Sequence, residues 1–139
     1  CDLKLPATHP FNPLGLLRLA VACDADGLPN RYVCEQVFRH VWCSGEDAAD
    51  AQRLAALSAQ LEPARDVASA EVKQTLQAHT QAAIEAGVFG VPTFAVDDKL
   101  FWGQDALPML RAYLQGDVWF DGPDWRAAQA LPVGVRRQA

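Results

Sequence analysis

The chain has 139 residues, 50% apolar and 21% charged, the size and make-up of one globular domain. Twelve basic against seventeen acidic side chains leave a net charge of -5, which argues against nucleic-acid binding, because that draws on concentrated positive charge. No stretch approaches the roughly 20 apolar residues of a membrane span, since the run from Leu14 to Cys23 is broken by Gly15 and Arg18.

In chain order, Asn12-Pro13-Leu14 is the first helix signal: a cap residue, then a proline whose missing N–H costs nothing at the first helical position. Leu14, Leu17 and Val21 continue at helical spacing, and Gly27 is expected to end that helix. Asn30 opens a second helix, in which Val33, Val37 and Val41 line a broad apolar face with Cys34, Phe38 and Trp42. Ser44-Gly45-Glu46-Asp47 has capping-box spacing before an alanine-rich third helix carrying Leu54, Leu57 and Leu61, which Pro63 stops. Ser69 caps a fourth through Val72, Leu76, His79 and Ala83, and Gly87 marks its end.

Beyond Gly87 the pattern changes. Thr93-Phe94-Ala95-Val96 and Leu100-Phe101-Trp102 read as two short strands, with Asp97-Asp98 as the turn between them. Gly103-Gln104-Asp105 offers a turn and a helix cap; Leu107, Leu110 and Leu114, ended by Gly116, make the next helix, with Pro108 harmless in its first turn. The remainder, rich in Pro, Gly and Trp, is expected as an irregular packed tail that frays at Arg136-Arg137. Two strands do not make a stable sheet alone. Together with the opening Cys1-Asp2-Leu3-Lys4 and a single methionine, Met109, this leads to the expectation that a sheet-forming segment precedes Cys1.

The four cysteines, Cys1, Cys23, Cys34 and Cys43, show no C-x-x-C spacing, hence no redox dithiol or half zinc site. Cys23, Cys34 and Cys43 lie in or beside apolar helical patterns and are expected as reduced thiols of a cytoplasmic protein. His9 reads as a surface residue, and His40 and His79 lack partners at metal-ligand spacing.

Most of the chemistry points to Val91-Pro92. Proline cannot donate to a sheet ladder, so at a strand start it is either a plain trans residue or a cis residue at an edge. The cis form would leave the main chain of Val91 free to pair with an extended, peptide-like ligand. From the dipeptide alone the trans form is the simpler expectation.

Gly87-Val88-Phe89-Gly90-Val91-Pro92-Thr93-Phe94, followed by Leu100-Phe101-Trp102-Gly103-Gln104-Asp105, resembles the carboxy-terminal signature of the 2-hydroxychromene-2-carboxylate isomerases. These are related to kappa-class glutathione transferases in the DsbA-like branch of the thioredoxin superfamily. The segments from His9 to Ala20 and from Val37 to Asp50 also resemble that family's helical insert. The resemblance implies an α/β thioredoxin-like fold with an inserted helical domain: 1–13 as lead-in, 14–86 as helical insert, 87–116 as the closing part of the thioredoxin-like domain and 117–139 as tail.

It also implies glutathione as cofactor and a small aromatic, unsaturated acid as substrate. In that mechanism the cofactor thiolate adds to the conjugated double bond, which then rotates before the thiolate leaves. Val91 matches the position whose main chain pairs with the cysteinyl part of glutathione, and Pro92 its cis-proline. Gln104 and Asp105 match the turn that takes the γ-glutamyl end, where an aspartate accepts from the ammonium. Asp105 reads equally as a helix cap worth about 1 kcal/mol, and Trp102 as a pocket wall or a core aromatic. The family often carries arginine after that aspartate; here Ala106 stands there. Its thiolate-supporting serine is expected before Cys1, because Ser44, Ser58 and Ser69 stand in the wrong context. Arg18 is placed to meet an anionic substrate or to serve as a surface residue. A homodimer is the family's usual assembly. The alternatives are a glutathione-binding relative without turnover and a DsbA-like disulfide oxidoreductase, whose C-x-x-C would also precede Cys1.

Overall fold

The computed structural model describes residues 2–130, so Cys1 and the tail arginines Arg136 and Arg137 lie outside them. The chain divides into two compact units, one reaching to Glu85 and the other beginning at Ala86.

The first unit is helical: α1 (Leu14–Ala22), α2 (Arg31–Trp42), α3 (Ala51–Leu61) and α4 (Ala70–Glu85). Short polar side chains start three of them by accepting from orphan N–H groups of the first turn. Asn30 accepts from Val33 N–H at 3.1 Å, Asp50 from Arg53 N–H at 2.8 Å and Ser69 Oγ from Val72 N–H at 3.2 Å. At α1 the Asn12 side chain accepts from Leu14 N–H at 3.0 Å, so Pro13 sits at the cap and not inside the helix.

Helix α1 is the hub and packs against α2, α3 and α4. Leu16 and Leu19 join Val41, Ala48 and Leu57 in one buried cluster; Val21 and Ala22 join Val72 in a second. The helix ends at Ala22, short of the expected Gly27, because Arg65 closes it there. Arg65 donates through its main-chain N–H to Ala22 C=O at 3.1 Å and through its guanidinium to Val21 C=O at 2.7 Å. A cation on the last carbonyls is the favourable partner for the negative end of a helix. Gly27, at φ +76, instead shapes the following turn, where a Cβ would lie 2.6 Å from the Thr75 methyl.

The capping box expected at Ser44 is not formed. Ser44 Oγ donates to His40 C=O at 3.2 Å and accepts from Glu46 N–H at 3.1 Å, which makes a turn of its own, and Asp50 starts α3 instead. Arg53 ties that turn down, donating to Ser44 Oγ at 2.9 Å and pairing with Glu46 at 2.8 Å. Cys23 and Cys34 are free thiols. Cys43, next after the last residue of α2, is disulfide-bonded, which corrects the expectation of a reduced thiol there; a cysteine at a helix end is only half enclosed and open to a second sulfur.

In the second unit, strands β1 (Thr93–Val96) and β2 (Lys99–Trp102) form an antiparallel hairpin. Its register pairs Thr93 with Trp102 and Val96 with Lys99. The turn places Asp97 at φ +53, a conformation that Asp tolerates better than bulkier residues. It is braced from outside: Tyr113 O–H donates to the Asp97 carboxylate, and Lys99 pairs with Asp98 at 2.7 Å. Helix α5 (Leu107–Leu114) and α6 (Pro123–Gln129) follow. Phe101, only 2% exposed, anchors the hairpin against Tyr113 and Phe120, and Trp119 and Trp125 extend the aromatic cluster through Phe120. The expected irregular tail is thus ordered at its start, with a 3-10 turn at Val118–Asp121 and then α6. Phe120 is buried there, Trp119 and Trp125 pack on it with part of their surface exposed, and Gly122-Pro123 starts a helix.

Candidate functional site

The segment entering β1 has an unusual hydrogen-bond pattern. Gly90 C=O accepts from Thr93 Oγ1 at 2.6 Å, and Pro92 C=O accepts from Gly103 N–H at 2.9 Å. Both neighbours of Val91 are therefore fixed by bonds within the hairpin. Val91 itself is 87% exposed, and among the described residues its N–H and C=O bond to nothing. At this exposure water satisfies both groups, and a ligand strand can take its place. One residue with both groups open presents the donor and acceptor that an antiparallel strand exchanges with its neighbour. The Val91–Pro92 peptide is cis, as the family resemblance implies and against the simpler trans expectation.

Beside it, Trp102 ends β2 with 52% of its surface exposed, so it is not a core aromatic. Its ring packs on Phe89, centroids 5.1 Å apart and planes tilted by 50°. The indole lies so close over Gly90 that a Cβ there would stand 2.5 Å from Nε1. Glycine is needed at position 90 for that approach.

Gln104 and Asp105 follow in an exposed 3-10 turn, Gln104–Ala106, that leads from β2 into α5. Because Gly103 is bonded to Pro92, this turn leaves the hairpin at the same end as Val91. The reading of Asp105 as a cap is corrected here: Ala106 precedes α5, with no side-chain cap bond. The Asp105 carboxylate lies against Gly103, which at φ +88 leaves no room for a side chain. Among the described residues it has neither an ion pair nor a hydrogen-bond partner. It is an open anion beside an open donor and acceptor.

The structure thus gathers Val91, Pro92, Trp102, Gln104 and Asp105 at one end of the hairpin. Charged groups with displaced titration gather at the other. There the bond from Lys99 holds the Asp98 carboxyl below its ordinary range, and the bond to Asp97 raises the Tyr113 phenol. Four further participants, Phe89, Gly90, Thr93 and Gly103, were legible in the sequence only as parts of the signature, a strand or a turn, with no role at the site. The legible signal was a threonine three residues after a glycine, the spacing of a local hydroxyl-to-carbonyl bond.

The remaining candidates lie in the helical unit. His40 Nε2 stands 3.0 Å from Ala48 C=O, and His9 packs on Phe11 and Trp42, which are structural placements. Arg18 is half-buried on α1 and faces a groove with α4. No helix among the described residues is long and apolar enough to cross a membrane.

Comparison with known proteins adds three findings. The family model for the DSBA-like thioredoxin domain matches residues 1–115. A 2-hydroxychromene-2-carboxylate isomerase of Pseudomonas sp. (strain C18) is 38% identical over 86 residues, 58% of this chain and 40% of that protein. Another of the same name from Sphingobium xenophagum is 53% identical over 38 residues, 27% of this chain and 19% of that protein. The chain thus spans less than half the length of either relative. No solved structure matches.

Proposed function

Because this chain belongs to the DSBA-like thioredoxin domain family, we propose that it works as a glutathione-dependent isomerase of a small aromatic, unsaturated acid such as 2-hydroxychromene-2-carboxylate. The observation that carries the reading is the open main chain of Val91, held between two fixed neighbours. The two relatives named for that isomerisation support it.

Glutathione is an extended tripeptide-like molecule with a carboxylate at each end and an ammonium at one. The site suits it. Val91 offers a donor and an acceptor to the cysteinyl unit, in the manner of strand addition. Asp105, free of any partner of its own, accepts from the γ-glutamyl ammonium, and exposed Gln104 beside it supplies further polar contacts. Trp102, backed by Phe89, offers an aromatic face to one side of the bound molecule. When bound, glutathione supplies the sulfur nucleophile; the residues of this chain hold and orient it.

A glutathione-binding relative without turnover is the second reading, and the two differ in whether a thiolate-supporting hydroxyl reaches the bound sulfur. The three serines, Ser44, Ser58 and Ser69, all belong to the helical unit and none to the unit that carries Val91. Two are engaged in local structure, Ser44 in its turn and Ser69 as a cap. A single experiment separates the readings: follow 2-hydroxychromene-2-carboxylate spectrophotometrically with the purified chain, with and without glutathione, and measure glutathione binding by calorimetry. Turnover that needs glutathione supports the isomerase. Binding without turnover supports the second reading, and absence of binding refutes both. A homodimer and a cytoplasmic location complete the proposal. Free Cys23 and Cys34 support that location and the Cys43 disulfide does not.

A further inference from the structure

The helical unit carries a second feature that the glutathione reading does not use. Helices α1 and α4 flank a groove of about 360 Å³, with Arg18 and Leu14 on one wall and Lys73, Leu76 and Gln77 on the other. No Asp or Glu lines it. Arg18 is half-buried, its Nε is shielded from solvent, and among the described residues the side chain makes no hydrogen bond and no ion pair.

That is costly for an arginine. The other half-buried arginines of this unit, Arg53 and Arg65, each have oxygens to meet. Arg53 is paired with Glu46 and bonded to Ser44, and Arg65 with Glu71 and the carbonyl of Val21. A guanidinium taken partly out of water without an acceptor loses hydration that nothing in the protein returns. Lys73, across the groove, adds a second positive charge. A planar guanidinium favours a two-oxygen acceptor, and Leu14 and Leu76 offer apolar surface beside it.

We propose that this groove is a binding site for a small organic carboxylate with an apolar body, its carboxylate on Arg18 and Lys73 and its body against Leu14 and Leu76. The site stands on the helical unit alone and does not rest on the glutathione reading. A chain that fails to bind glutathione can still show it.

The test is a titration of the full chain with benzoate, read by amide chemical shifts, with benzamide as the neutral isostere and inorganic phosphate as a competing anion. Benzoate is expected to shift amides of α1 and α4 around Leu14, Arg18, Leu76 and Gln77, with benzamide and phosphate at least tenfold weaker. Arg18→Gln is expected to weaken benzoate about tenfold or more, the scale of a charge-assisted pair. Lys73→Gln, at an exposed position that leaves the fold intact, is expected to weaken it about threefold. The proposal is overturned if benzamide binds as well as benzoate, if phosphate binds as well, or if Lys73→Gln leaves benzoate binding unchanged. Shifts confined to residues outside this groove overturn it as well.

Discussion

Replacing Val91 by proline removes one main-chain N–H and nothing from the core, since the residue is 87% exposed and its N–H bonds to no described residue. If glutathione takes that donor, the loss is one backbone hydrogen bond at a partly solvated edge, about 1 to 1.5 kcal/mol. The dissociation constant should then rise about five- to tenfold. Val91→Ala is the matched control: it keeps the N–H and trims an exposed side chain, so binding should change less than about twofold. Calorimetric titration of glutathione into the three proteins decides the matter, with circular dichroism as a check on the hairpin. Equal affinity for Val91→Pro and the parent chain, or equal losses for Val91→Pro and Val91→Ala, would refute the assignment of the main chain as the cradle.

Asp105→Asn should weaken glutathione about tenfold or more by removing a charged acceptor for the ammonium, and S-methylglutathione, which keeps that ammonium, should suffer equally in the same titration. Gly103→Ala should lower the melting temperature and weaken binding together, because a Cβ at φ +88 meets the Asp105 carboxylate. Val72→Ala, at a side chain with no exposed surface, should cost about 2 kcal/mol in urea unfolding without altering the hairpin site. Burial pushes the Cys23 thiol above the ordinary range, so it should carry less thiolate at pH 8 than free cysteine does. Its alkylation by iodoacetamide, followed by mass spectrometry, should be correspondingly slow at pH 8 and speed up as pH rises; a rate equal to that of free cysteine at pH 8 would contradict this.

How much of this was legible in the sequence depended on how local each cause is. Asn30 and Ser69 start helices by bonding three residues ahead, and such short-range chemistry reads directly from spacing. The Asp97-Asp98 turn is equally local. Gly27 was misjudged because the end of α1 is set by Arg65, distant in sequence, which reaches back to Val21 and Ala22. Ser44 had capping-box spacing, yet Arg53 and His40 hold it in another turn, which no short window contains. The aromatic tail looked irregular because its partners, Phe101 and Tyr113, lie in the hairpin and α5. At the site, residue identities came from the resemblance, whereas the open state of Val91 is a property of bonds made by Thr93 and Gly103. The groove at Arg18 needed the facing helix to be visible at all.

The most direct test of the central claim is an amide chemical-shift titration of the isotopically labelled chain with reduced glutathione. The account predicts saturable shifts at Val91, Thr93, Gly103, Gln104 and Asp105, with little change at Asp97 and Asp98 at the far end of the hairpin. Shifts absent at saturating glutathione, or centred away from Val91 and Asp105, would contradict it.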